Sequence, residues 1–252
     1  MQLDQLQIVT RVRSAWSSID LGIKYGRLHW LKSVTLWLVL ALPCYFLCLG
    51  LLNTEDEWLA GILVWWFKPF FERPILYRQS RELFSQSTSI IETLKDVRYW
   101  LFPGLLAAIS YRRFSPSRSF LAPVLLLEGL KGSAYAERRA VLSRQFSNEA
   151  TWLTVVLVHF EGFFEFSVLL LFLIIAPELV DFNQLFVETS PLSDAIIGIV
   201  SLFVMASIAP FYVAAGFMLY ISRRIDLEGW DIEINFRNWV NNGTGPARSL
   251  QA

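Results

Sequence analysis

Long apolar runs alternate along this chain with short charged stretches, and the length of each run decides what it can do. About 30 Å of hydrocarbon takes roughly 20 residues of helix to cross. The stretches 31–52, 150–176 and 193–222 meet that length, the first almost purely apolar and the last carrying Pro210 as an expected kink. A fourth stretch, 58–77, is long enough but holds Lys68, Glu72 and Arg73 in its second half. Lys68 and Glu72 stand one turn apart and are expected to pair, while long Lys and Arg stems reach toward headgroups. Pro69 and Pro74 should bend its end. Start signals agree with these limits: Thr54 with Glu57, Ser190–Pro191 with Asp194, and Asn148–Glu149 as a cap for the third span.

Between the second and third spans the pattern changes. Residues 80–147 contain two apolar pieces, 99–109 and 119–130, each too short to cross at about 1.5 Å per residue. Crossing there would also bury Glu92, Lys95, Asp96 and Arg98, and a re-entrant hairpin would carry Arg112, Arg113 and Arg118 inward at about 2.5 kcal/mol or more each. The favoured reading lays 80–147 along the membrane surface, with a Ser89–Glu92 capping box followed by Ile90, Leu94, Val97 and Leu101 at helical spacing. Tyr99 and Trp100 suit interfacial depth. Six spans is the alternative to four.

Charge then orients the chain. All 22 Lys and Arg fall in 11–32, 68–144 and 223–248, and the loops 53–57 and 177–194 are acidic without a single base. Basic residues stay on the cytoplasmic side, so those loops face out and both termini face in. Residues 68–144 hold 13 basic and 6 acidic side chains, an excess that draws the segment toward anionic headgroups. Composition fits, with 54% apolar residues and 17% charged among 252, more apolar surface than one soluble core hides. The first 30 or so residues are polar and lack a cleavage pattern, so no signal peptide is expected. Residues 223–239 read as a surface helix behind Arg223–Arg224, with a strand through the alternating Trp230, Ile232, Ile234 and Phe236 as the alternative, and 241–252 as a disordered tail.

Chemistry is sparse. Glu161 and Glu165, four residues apart within the third span, share a face near mid-bilayer, with His159 pointing elsewhere. Intramembrane carboxylates require protonation or partners; they are either a functional site or a polar clasp onto groups such as Ser167, Tyr212 or Lys68. Arg112, Arg113 and Arg118 are the anionic-lipid contact candidates. Cys44 and Cys48 make no disulfide framework, and His159, Glu161 and Glu165 do not converge on a metal. Gly22 and Gly26 form a GxxxG pattern, but with Lys24 between them and outside the hydrocarbon they imply no close packing in lipid. No phosphate loop, nucleophile elbow or zinc-protease motif is present, so no cofactor, metal or catalytic residue is assigned and no nucleic-acid contact is expected.

Three stretches are distinctive: WWFKPFFERPILYRQSRELF at 65–84, RRFSPSRSFLAPVLLLEGLKG at 112–132 and RRIDLEGWDIE at 223–233. In them the chain resembles a group of uncharacterised bacterial multi-pass inner-membrane proteins and, more distantly, the membrane domain of glycerophosphoryl diester phosphodiesterases. The resemblance implies a bacterial inner membrane. It carries over no catalytic residue, since activity in those enzymes belongs to a separate barrel domain for which this chain has no room.

The expectation is an all-α integral membrane protein. Residues 1–240 form one helical domain of four transmembrane helices, with interfacial amphipathic helices on the cytoplasmic side. Its expected role is non-catalytic, holding an unknown membrane protein partner or organising lipid at the cytoplasmic leaflet. A small transporter or channel component using Glu161 and Glu165, needing homo-oligomers to enclose a pathway, is the alternative. A membrane-embedded lipid enzyme ranks third.

Overall fold

The structure, a computed structural model, describes residues 8, 11–52, 58–175, 191–230, 232, 233 and 236. Among them every regular element is helical: α1 (Ala15–Leu28), α2 (Trp30–Leu51), α3 (Trp58–Leu83), α4 (Ile90–Lys95), α5 (Val97–Leu101), α6 (Leu105–Ile109), a 3-10 turn (Tyr111–Phe114), α7 (Arg118–Leu126), α8 (Gly132–Ile175) and α9 (Pro191–Glu228). Three of these, α2, α8 and α9, are long and apolar enough to cross a membrane. The 26 residues of α3 have the length, but Lys68, Glu72, Arg73, Arg78, Arg81 and Glu82 crowd its second half. Between 97 and 126 the longest helix is α7, nine residues and so about 14 Å. A six-crossing chain has no helix there that could serve.

The hub is α9, which touches α1, α2, α3, α7 and α8. Small residues on different faces of it allow close approach. A side chain on Gly22 of α1 would strike the Ala214–Ala215 backbone, and one on Gly26 would lie 3.0 Å from the Pro210 carbonyl oxygen. On other faces Gly216 sits against Ser119 of α7 and Gly198 against the Tyr45 ring of α2. The Gly22–Gly26 pattern, discounted above, is therefore the face by which α1 meets α9; Lys24 between them simply points outward. Backbone proximity needs only the missing side chains, not a lipid surround. α1 itself was not anticipated in the polar N-terminal stretch. Its stripe of Ala15, Ile19, Gly22 and Gly26 is short on large apolar groups, and its start is set by Ser14, whose hydroxyl accepts from the Ser17 N–H.

Residues 80–147 are built into this assembly rather than spread as one amphipathic layer. The Ser89–Glu92 capping box is present, but α4 stops at Asp96 and α5 starts afresh. Trp100, read as an interfacial residue, is buried, and its indole N–H donates to the Thr93 carbonyl at 2.8 Å, folding the two short helices together. Phe120 and Val124 of α7 are fully buried. α8 begins 18 residues before Ala150, so Asn148 and Glu149 lie inside a helix and cap nothing. Its first half is amphipathic, with Tyr135, Leu142, Phe146, Ala150 and Leu153 facing inward.

α9 passes through Pro210 without interruption and continues to Glu228, keeping Arg223 and Arg224 on the helix instead of on a separate surface segment. Gly229, at φ +64, ends it, and Trp230 packs back into the core. The Thr54–Glu57 cap, most of the loop 177–194, Ser190 and the tail 241–252 lie outside the described residues.

Candidate functional site: a row of α3 ion pairs beside an arginine-lined cavity

Ions in the second half of α3 are costly to bury alone, and each is met by a polar group of the protein. Lys68 Nζ pairs with Glu161 of α8. One turn on, Glu72 accepts from Arg118 of α7 at 3.2 Å. The Lys68–Glu72 pairing expected along the helix is thus replaced by two pairings across helices, because both side chains face inward where partners on other helices converge. Arg73 donates through Nε to the Trp100 carbonyl at 2.7 Å and also to Pro103. Arg78 pairs with Glu82, whose other oxygen meets His29 at the start of α2 at 2.8 Å. Arg81 reaches Asp96 at 2.7 Å, with the Tyr77 hydroxyl donating to the same carboxylate. Burial pulls the Glu82 carboxyl up, but the His29 hydrogen bond and the charges of Arg78, His29 and Lys32 outweigh it and hold the group below its ordinary value.

Glu161 and Glu165 do not act as one site. Glu165 accepts from the Ser201 hydroxyl of α9, while Glu161 is committed to Lys68. His159 is exposed, its ring Nδ1 2.8 Å from the Val155 carbonyl of its own helix. Among the described residues no three His, Cys, Asp or Glu side chains cluster to hold a metal.

Alongside this row, a cavity of about 310 Å³ opens between α3, α6, the 3-10 turn, α7 and α8, with Val213 of α9 in its wall. The lining is mostly apolar, including Leu76, Ala108, Leu121, Leu125 and Leu126. Into it project four arginines, Arg73, Arg112, Arg118 and Arg139, against one carboxylate, Glu72. Arg73 and Arg118 are occupied as described. Arg112 lies with its guanidinium 3.7 Å from the centre of the Tyr135 ring, and its buried Nη1 has no acceptor. Among the described residues neither Arg112 nor Arg139 is paired with a carboxylate. Ser119, 5% exposed, adds a hydroxyl that also lacks a partner. Burial pushes the Tyr135 phenol up against the opposing charges of Arg112 and Arg139, so the ring stays neutral between two cations.

The three arginines singled out from sequence therefore separate. Arg118 is tied to Glu72 and lies over Tyr212; its buried Nε is without an acceptor. Arg113 turns away from the cavity, donating to the Trp66 carbonyl at 2.7 Å beneath the Trp65 and Trp66 rings. Burial pulls Arg113 down to about 10, aided by Arg118 and opposed by Glu72, which leaves it charged at neutral pH. Of these three, Arg112 alone has neither a carboxylate nor a carbonyl acceptor among the described residues. Arg139, Tyr135 and Ser119 escaped the sequence reading. Tyr135 and Arg139 stand one turn apart, a signal visible only once the third long helix is started at Gly132 rather than Ala150. Comparison with models of protein families, with curated proteins and with solved structures finds no match to this chain.

Proposed function

We propose that this chain is a non-catalytic integral membrane protein that crosses a bacterial inner membrane four times with both termini in the cytoplasm, and organises anionic lipid at the cytoplasmic leaflet. Beside α2, α8 and α9, α3 supplies the fourth crossing. Its first ten residues, 58–67, carry no charge, and the ions that follow are each matched by protein groups instead of lipid. The observation that carries the lipid reading is the excess of four arginines over one carboxylate in an apolar cavity. It belongs to the segment holding 13 of the 22 basic residues, the part that the distribution of charge assigns to the cytoplasmic face.

Glu161 and Glu165 give the transporter reading less support, because each is committed to a separate partner on a different helix. The test has two parts. Single cysteines at Asn53 and Ser115, in a background lacking Cys44 and Cys48, are exposed to an impermeant maleimide on intact spheroplasts; labelling at 53 and protection at 115 is expected. Purified protein is then melted in detergent with added phosphatidylglycerol or phosphatidylcholine. A rise with the anionic lipid alone supports the reading, and equal response to both abandons it.

A further inference from the structure

Resting on that reading, we infer that the cavity beside α3 is a specific seat for one anionic phospholipid, its phosphate held by Arg112 and Arg139 and the upper part of an acyl chain lying against Leu121, Leu125 and Leu126. Two features argue for a ligand rather than for a structural void. The first is unmet donor capacity. The Arg112 Nη1 and Arg118 Nε, on two residues that line the cavity, are buried without acceptors. Buried donors without acceptors are uncommon in native proteins and point to an unfilled partner. A phosphate oxygen is the natural complement of a guanidinium, which can meet it with two parallel hydrogen bonds.

The second feature is the pairing of that charge with apolar walls. A free inorganic anion would have no use for Leu121, Leu125 and Leu126, and a neutral apolar ligand would leave the cations unmet. A molecule with a charged head and a hydrocarbon tail satisfies both. The volume, about 310 Å³, lies at the small end of ligand cavities, enough for a headgroup and the first part of a chain. Depth agrees. Val213 lies 19 residues beyond Asp194, or about 28 Å along α9, which brings the cavity to the inner edge of a hydrocarbon layer of about 30 Å that starts near Asp194. A lipid of the inner leaflet carries its phosphate at that level.

Arg112 and Arg139 also divide the work. Arg112 is half-buried and pre-oriented on the Tyr135 ring, so it loses little freedom on binding. Arg139 is exposed one turn along α8 from Tyr135 and closes over the head from the outside.

The test compares wild type with Arg139→Gln, Arg112→Gln and Ala108→Leu, the last filling the cavity without changing charge. Binding is read by native mass spectrometry and thermal shift in detergent, with phosphatidylglycerol, phosphatidylcholine or inorganic phosphate as the probe. Phosphatidylglycerol should bind wild type with one tight equivalent, and each variant should weaken that equivalent about ten-fold or more, as expected for one lost charge-assisted contact or a blocked seat. Arg139 is exposed and without a carboxylate partner among the described residues, so Arg139→Gln keeps the test decisive should Arg112→Gln fail to fold. If phosphatidylglycerol stabilises all four proteins equally, the seat is overturned while the general lipid reading survives. If it stabilises none of them, both fall. Binding of inorganic phosphate as tight as that of the lipid would instead mark a free-anion site and also overturn the inference.

Discussion

α8 and α9 are the two longest helices, and their most apolar 18-residue stretches have mean hydropathies of 2.0 and 2.3, yet 6% of the first stretch is buried within the protein against 61% of the second. Hydropathy alone does not separate a helix that faces its surroundings from one that organises the fold. Residue size and spacing do. α9 sets Gly198, Ala206, Ala209, Ala214, Ala215 and Gly216 among its large side chains, so neighbours on several faces approach its backbone. The second half of α8 offers Phe160, Phe163, Phe166, Leu171 and Ile174 around its circumference, all exposed, with Glu161 the buried exception. An apolar surface of that extent is stable against hydrocarbon and not against water. The first half of α8, amphipathic and packed against α7 and α9, belongs to the other environment.

Glycine replacement should break this contrast most sharply. Gly216→Leu would force a side chain into Ser119 of α7, whereas nothing lies within 4 Å of a side chain added at Gly162 of α8. The first variant is expected to lose the monodisperse peak in size-exclusion chromatography, and Gly162→Leu to keep it. Overpacking commonly costs about 1–3 kcal/mol and occasionally more, and here the obstacle includes backbone, which cannot rotate aside, so the loss is expected to exceed that range.

Removing the buried exception comes next. Glu161→Gln leaves Lys68 without its counter-ion and is expected to cost about 3 kcal/mol, whereas the double replacement Lys68→Met with Glu161→Leu should recover most of that. Thermal unfolding of all three variants in detergent gives the coupling directly. If Glu161→Gln were as stable as wild type, the pair would not be what holds α8 to α3.

A phenylalanine exchange measures the two surfaces. Phe217 of α9 is fully buried and Phe163 of α8 is 71% exposed. Phe217→Ala should cost about 3 kcal/mol or more and Phe163→Ala about 0.5 kcal/mol or less. Similar losses at both would mean that the exposed face of α8 is covered by protein.

Acid tests the link between the two helices at their charged ends. Arg138 of α8 meets Glu228 of α9 at 2.6 Å, and Arg224 holds the same carboxylate at 2.7 Å. Burial pulls the Glu228 carboxyl up, but Arg224 and Arg138 together bring it below its ordinary value of 4.5. A group whose folded value is depressed contributes stability above its unfolded value and loses it as pH falls through the folded one. The melting temperature of wild type should therefore drop below about pH 4.5 more than that of Glu228→Gln, the smallest of these effects. Equal acid responses would remove this link from the account.

Legibility followed the strength of the local signal. The apolar runs of α2, α8 and α9 were readable because about 20 apolar residues in a row leave few alternatives. The Ser89–Glu92 box was readable because its partners are three residues apart. α1 was missed since its inward face sets only Ile19 and Tyr25 among Ala15, Ser18, Gly22 and Gly26, too few large apolar groups for a hydrophobic pattern and meaningful only against α9. Trp100 was misplaced because an aromatic beside charges looks interfacial until Thr93 and Arg73 are seen around it. Of the candidate site, Arg112 and Arg118 were in view, but Arg139 and Tyr135 required knowing where α8 begins.

What the sequence by itself determined is the helical class, the three strongly apolar helices and the segregation of charge, because these depend on residues close together in the chain and on their transfer from water. Which ion meets which, and the existence of a cavity with more cations than carboxylates, were decided only in the tertiary structure. Lys68 lies 93 residues from Glu161, and Arg118 46 residues from Glu72. No local periodicity encodes such a pairing; it arises when helix packing brings side chains into a low-dielectric interior, where an unmatched charge is costly.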